Sequence, residues 1–163
     1  EAAGGFDESI TMFEDFDLWL RTGALHDPGI YAISEVLCDY RRHSTQATRD
    51  WQAMHEGWLR VVSQFEAKYP ALWRPVAARA RAHNLEYCAS LAYNSGDIVE
   101  MRRMMREALR RGGRFILGRN DGIIMTGIMI CSYLPRAVQL GIGRLFVSAR
   151  RAKRFLEART KAV

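Results

Sequence analysis

From Ser44 onward, apolar side chains recur every three to four residues, a spacing that restricts most of the chain to amphipathic helices. Thr48 or Asp50 can cap a first helix that carries Trp51, Met54, Trp58, Val61, Val62 and Phe65 on one stripe and ends before Pro70. A second helix is expected from about Pro75 to Tyr93, with Leu85, Cys88, Ala89 and Ala92 facing inward. Asn94-Ser95-Gly96-Asp97 reads as stop, turn and restart. A third helix follows from Ile98 to about Arg111, with Met101, Met104, Met105, Ala108 and Leu109 apolar and Gly112-Gly113 closing it. The two helices joined at this turn form a plain helical hairpin.

The first part of the chain is different. Residues 4–11 read as a glycine-rich turn and loop. A short helix is expected to start near Met12 or Phe13, with Phe13, Phe16 and Leu20 on one face, Asp17 able to pair with Arg21, and Gly23 as its stop. Asp27-Pro28-Gly29 is a turn signal, and the β-branched and aromatic residues between Ile30 and Tyr40 suit one or two short strands. The fold class expected is therefore mainly α with a small β remnant.

Charge divides the chain in the same place. Residues 1–50 carry four Lys/Arg against ten Asp/Glu, a net of −6, whereas residues 51–163 carry twenty against eight, a net of +12. An acidic part of this kind can hold a metal or a catalytic carboxylate, and the basic part can face an anionic surface. Ile123–Leu134 is nearly all apolar but, at about twelve residues, too short to span a bilayer, which needs ~20. The stretch that follows, from Arg136 to Val163, has eight basic residues and one acid. It reads as a basic amphipathic tail suited to an anionic membrane surface. Basic residues that follow an apolar helix face, with no DNA-binding motif or aromatic-studded sheet, argue against nucleic acid as the partner. Cys38, Cys88 and Cys131 are widely spaced with no CxxC pair, which excludes a disulfide framework and points to buried reduced thiols.

Three motifs carry a resemblance. Gly4-Gly5-Phe6-Asp7-Glu8 is followed by Glu14-Asp15-Phe16-Asp17-Leu18-Trp19-Leu20-Arg21, and then by Glu35-Val36-Leu37-Cys38-Asp39-Tyr40-Arg41-Arg42-His43. In this order and at this spacing they resemble the family 2 glycosyltransferases of GT-A type, over residues 1 to about 50. The resemblance implies that the chain is the carboxyl-terminal piece of such an enzyme. Residues 1–46 would belong to the acceptor side of the α/β catalytic domain, 47–118 to a helical extension, and 119–163 to the membrane-surface tail. The family's upstream Asp-x-Asp, which carries the metal, would lie with the nucleotide pocket in a half that this sequence lacks, so the piece alone is expected to be inactive; the Gln-x-x-Arg-Trp motif of processive synthases is also absent, which favours single-sugar transfer.

Inverting sugar transfer needs a base for the acceptor hydroxyl and positive charge for the departing diphosphate. The resemblance puts Asp15 in the role of base, with Glu14 beside it. Gly4, Gly5, Asp17 and Arg41 would contact substrate, and His43 would help to hold a divalent metal, Mg or Mn, and its diphosphate. The partners implied are a nucleotide-sugar donor and a lipid-linked or polysaccharide acceptor, at the cytoplasmic face of a membrane. The alternative is a non-catalytic helical module that binds a partner protein or a membrane surface.

Overall fold

A computed structural model of the chain describes residues 3–25, 30–31, 33–39, 46, 48, 50–135 and 138. They form six helices: α1 (Glu14–Leu25), α2 (Trp51–Lys68), α3 (Pro70–Trp73), α4 (Ala77–Ser95), α5 (Ile98–Leu117) and α6 (Asn120–Cys131). The protein is mainly helical. The chain divides into two compact units, Glu1–Met125 and Thr126–Val163.

The core of the first unit is the α4–α5 hairpin, whose contact is the most extensive between any two helices. Gly96 ends α4 in the left-handed conformation, and its N–H donates to the carbonyls of Ala92 and Tyr93. Asp97 then caps α5 by accepting from the Glu100 N–H at 3.1 Å. Small residues of α4 (Ala82, Cys88, Ala89, Ala92) and the thioethers of α5 (Met101, Met104, Met105) are all fully buried. Unbranched methionines fill the irregular gaps that alanines leave, and each such side chain contributes about 1.5–3 kcal/mol through burial.

Helix α2 lies against α4, and α1 and α3 lie against α2. Asp50 caps α2 through the Ala53 N–H at 2.9 Å, as its position before Trp51 suggests. Trp58, Val62 and Trp73 form a second buried cluster, against which Phe13, Phe16 and Phe65 pack. The short helix α3 was not foreseen: Pro70 opens it at a first-turn position, where a missing N–H is harmless.

Two helix ends fall elsewhere than the sequence suggests. Gly23 lies inside α1, which continues to Leu25. Gly112 does not close α5: it breaks the helical backbone with φ −152° and ψ 42°, and the helix resumes to Leu117. The reason is steric. A Cβ at Gly112 would come within 2.8 Å of the Ala82 Cβ, so the kink occurs where α4 leaves no room for a side chain on α5.

The expected strands are absent. Among the described residues of 30–39 the chain forms neither helix nor strand, with Tyr31 76% and Val36 88% exposed. Strand propensity alone does not build a ladder. A lone strand leaves its N–H and C=O groups without partners, and no described segment supplies a second one. Cys38 is exposed with this segment and Cys131 is half-buried. Only Cys88 is a buried thiol, and burial pushes its pKa up to about 12. Helix α6 exposes Ile123, Ile124 and Ile130, and no described helix is long and apolar enough to cross a membrane. Of the basic tail only Val138 lies within the described residues.

The kink makes a direct prediction. Gly112→Ala should destabilise the fold by about 1–3 kcal/mol through overpacking against Ala82. Gly113→Ala, where a Cβ meets nothing within 4 Å, should leave stability equal or slightly raised. Denaturant unfolding of the two variants would check this, and equal stabilities would refute it.

Candidate functional site

The motif residues of the amino-terminal part are gathered around one arginine. Asp17, 8% exposed, accepts two hydrogen bonds from Arg21, at 2.8 Å from Nε and 2.6 Å from Nη2. The i,i+4 spacing on α1 makes this pairing possible. The same guanidinium reaches back to the loop: Nη1 donates to the Ala3 carbonyl and Nη2 to the Gly5 carbonyl at 2.8 Å. Gly4 and Gly5 have φ of 77° and 75°, a left-handed pair that turns these carbonyls toward the arginine and that residues with a Cβ rarely adopt. A planar five-donor group is what such a three-point junction needs, and lysine could not replace it.

The loop then closes on itself. The Ser9 N–H and hydroxyl both donate to Asp7 Oδ1, at 2.9 and 2.6 Å, and the Ile10 N–H donates to the Asp7 carbonyl at 3.0 Å. The Ser9 bonds hold the Asp7 carboxyl below its usual range. Buried Ile10 anchors the turn.

Helix α1 begins at a strained residue. Phe13 has φ 68°, the one non-glycine in that region among the described residues, and its carbonyl accepts the first helical bond from the Asp17 N–H at 2.9 Å. Its ring meets Phe16 edge-on at 6.1 Å, and both pack on the Trp58–Trp73 cluster. Glu14 and Asp15 follow at once, both exposed. Asp15 Oδ1 accepts from the Phe16 N–H at 2.7 Å, which satisfies one of the unpaired donors of the helix start.

Glu14, Asp15, Asp17, Gly4 and Gly5 thus belong to one loop-and-helix assembly, whereas Arg41 and His43 lie outside the described residues. Asp17 is taken up by Arg21 and screened from solvent, so it holds the loop to the helix; the acids left open are Glu14 and Asp15. No three His, Cys, Asp or Glu side chains converge as a metal would require among the described residues. The expected divalent ion therefore has no ligand set in the described part of the site.

Two polar clusters escaped the sequence reading. His55 is half-buried and shares a 2.6 Å hydrogen bond with the buried Asn84. Glu86, 3% exposed, accepts from Arg119 Nη1 at 2.9 Å, joining α4 to the turn before α6. Arg119 Nη1 also lies 2.7 Å from His83 Nδ1. The same Nδ1 lies 3.4 Å from Glu86 Oε2, so the three side chains form one polar cluster. The one available signal was a carboxylate on the inward-facing stripe of α4, which requires a partner wherever it is buried. Arginines at i, i+3 and i+7 on α5 (Arg103, Arg106, Arg110) were legible as a single basic face but were not singled out.

Comparisons with protein-family models, with curated proteins and with solved structures return no match.

The Arg21 junction can be tested by itself. Asp17→Asn should cost about 1–3 kcal/mol, since a screened guanidinium loses its charged acceptor. Arg21→Lys should not restore the loop. Hydrogen exchange at Gly4–Ile10 should accelerate in both variants while exchange in α4 and α5 stays unchanged. Exchange at wild-type rates in the loop would refute the junction.

Proposed function

We propose that this chain is the acceptor-side part of an inverting glycosyltransferase of family 2, GT-A type, and that Asp15 is its base. The observation that carries the reading is the Arg21 junction. It fixes the Gly4-Gly5 loop to the helix on which Asp15 stands open, bringing together two motifs separated in sequence by the turn at Asp7–Ile10. A side-chain-free loop fixed to the helix that carries an exposed carboxylate suits the close approach of a sugar and an attacking alcohol.

In the reaction, the acceptor hydroxyl oxygen attacks the anomeric carbon of the donor sugar as the bond to the nucleoside diphosphate breaks. The hydroxyl proton passes to the Asp15 carboxylate, and the bonding electrons leave with the diphosphate. Glu14, exposed on the same first turn, would shape the acceptor side, and Asp17 would keep the loop in register. No step is assigned to a metal, because the described residues provide no ligand set for one.

The exposed segment also supports the reading. Ile30, Tyr31, Ile33, Val36 and Leu37 are apolar and exposed. A strand of a larger α/β domain, seen without the sheet that would cover it, has this character. The same exposure would fit a partner protein in the non-catalytic reading, so the decisive test is catalytic. In the enzyme that contains this segment, Asp15→Asn should lower kcat by about 10²–10⁴-fold and leave donor binding nearly unchanged. Unchanged turnover would remove Asp15 from the role, and absence of any sugar transfer by the parent enzyme would favour the binding module.

We further propose that residues 136–163 bring the enzyme to an anionic membrane surface, where a lipid-linked acceptor would lie, on the strength of eight basic residues against one acid. Truncation after Pro135 should weaken binding to anionic vesicles, most clearly at low salt. Equal sedimentation of truncated and intact protein with those vesicles would reject the role.

A further inference from the structure

A cleft of about 670 Å³ opens between α2, α4 and α5, a volume typical of small-molecule sites. It shares no residue with the loop and helix described above. Its rim is basic: Arg103, Arg106, Arg110 and Arg111 come from α5, and Arg81 comes from α4. Leu59 and Trp58 of α2 and Leu85 of α4 supply an apolar wall. His55 also lines the cleft and is fixed there by Asn84. Among the described residues, Glu107 is the single acid in the lining.

The arginines are held by exchangeable contacts. Arg103 pairs with Glu100 at 2.7 Å, and Arg81 pairs with Glu66 at 2.6 Å across from its contact with the Trp73 ring. Arg110 and Arg111 both bind Glu107, whose carboxyl they hold down at about 2, so it stays charged at neutral pH. Arg103 and Arg110 are 56% and 73% exposed, and ion pairs of that exposure contribute little, so an incoming anion can displace them readily. Arg81 pairs through Nη2, while its Nε is buried behind the guanidinium.

We propose that this cleft binds a phosphate or diphosphate group carried on an apolar body. The phosphate oxygens would lie on Arg81, Arg103, Arg106 and Arg110, and the apolar part would lie along Leu59, Leu85 and Trp58. Guanidinium forks match paired phosphate oxygens in plane and spacing, and five of them line the cleft, where the exposed pairs of Arg103 with Glu100 and Arg110 with Glu107 are open to exchange. Glu107 acts as a built-in counterion that the ligand must displace. This assignment is independent of the glycosyltransferase reading and stands or falls without it.

The test is calorimetric titration of the whole chain with inorganic pyrophosphate at low salt, alongside sedimentation with phosphatidylcholine vesicles with and without phosphatidic acid. The Arg103→Glu, Arg110→Glu double variant, altered only at exposed positions, should bind about tenfold more weakly or worse. Glu107→Gln should bind several-fold more tightly, because two guanidinia are released. Circular dichroism should report native helix in both. Variant-sensitive binding of pyrophosphate supports a soluble ligand, and variant-sensitive binding of the phosphatidic acid vesicles alone supports a lipid headgroup. The proposal is overturned if neither probe binds, or if both variants bind as the wild type does. It is equally overturned if a polyglutamate peptide binds as tightly as pyrophosphate and responds equally to the substitutions.

Discussion

Close approach between α4 and α5 sets the geometry of the first unit. Alanines and Cys88 on one helix allow the other to come near, and three methionines on the other fill the space between. At Gly112 an added Cβ would crowd Ala82, and the α5 backbone kinks there. Helix α2 packs on this hairpin, and α1 and α3 pack on α2. The aromatic cluster of Trp58 and Trp73 is the link between the two, since it touches helices on one side and Phe13 and Phe16 on the other.

Charge follows that layering. Asp17 of α1 is held by Arg21, whereas Arg103, Arg110 and Arg111 of α5 are held by acids of their own helix. The two polar regions thus solve opposite problems. Around Arg21 a screened cation satisfies two backbone carbonyls and a buried carboxylate. Along α5 the cations remain in solvent with weak partners, and weak partners are what a binding surface requires.

Much of this was legible from residue spacing. The stripe of Trp51, Met54, Trp58, Val61 and Val62 and the turn at Gly96-Asp97 appear where the pattern puts them, because burial of a helical face leaves a periodic trace in sequence. Asp17 with Arg21 was legible too, as an i,i+4 pair, but its hold on the Ala3 and Gly5 carbonyls was not. Backbone acceptors across a loop leave no residue-type signature. Gly112 was misread as a stop, since a glycine demanded by a neighbouring helix looks the same in sequence as one that ends its own. Ile30–Asp39 was misread for a related reason: β propensity reports a preference that only a partner strand can realise. The tie of Asp17 and Arg21 to the glycine loop emerges from the fold, with Asp15 on the same helix, while Arg41 and His43 lie outside the described residues.

Phe13 carries one last consequence. Left-handed backbone at a bulky aromatic costs roughly 1–2 kcal/mol, and here it is held in place by the grip of tryptophans and a second phenylalanine on the ring. The pivot from which α1 departs is therefore loaded like a latch rather than relaxed like a hinge. Any loosening of the tilted Trp58–Trp73 pair would let Phe13 swing back to ordinary torsions and re-aim the first turn, two residues before Asp15. The direction in which that carboxylate points is geared to rings in the interior.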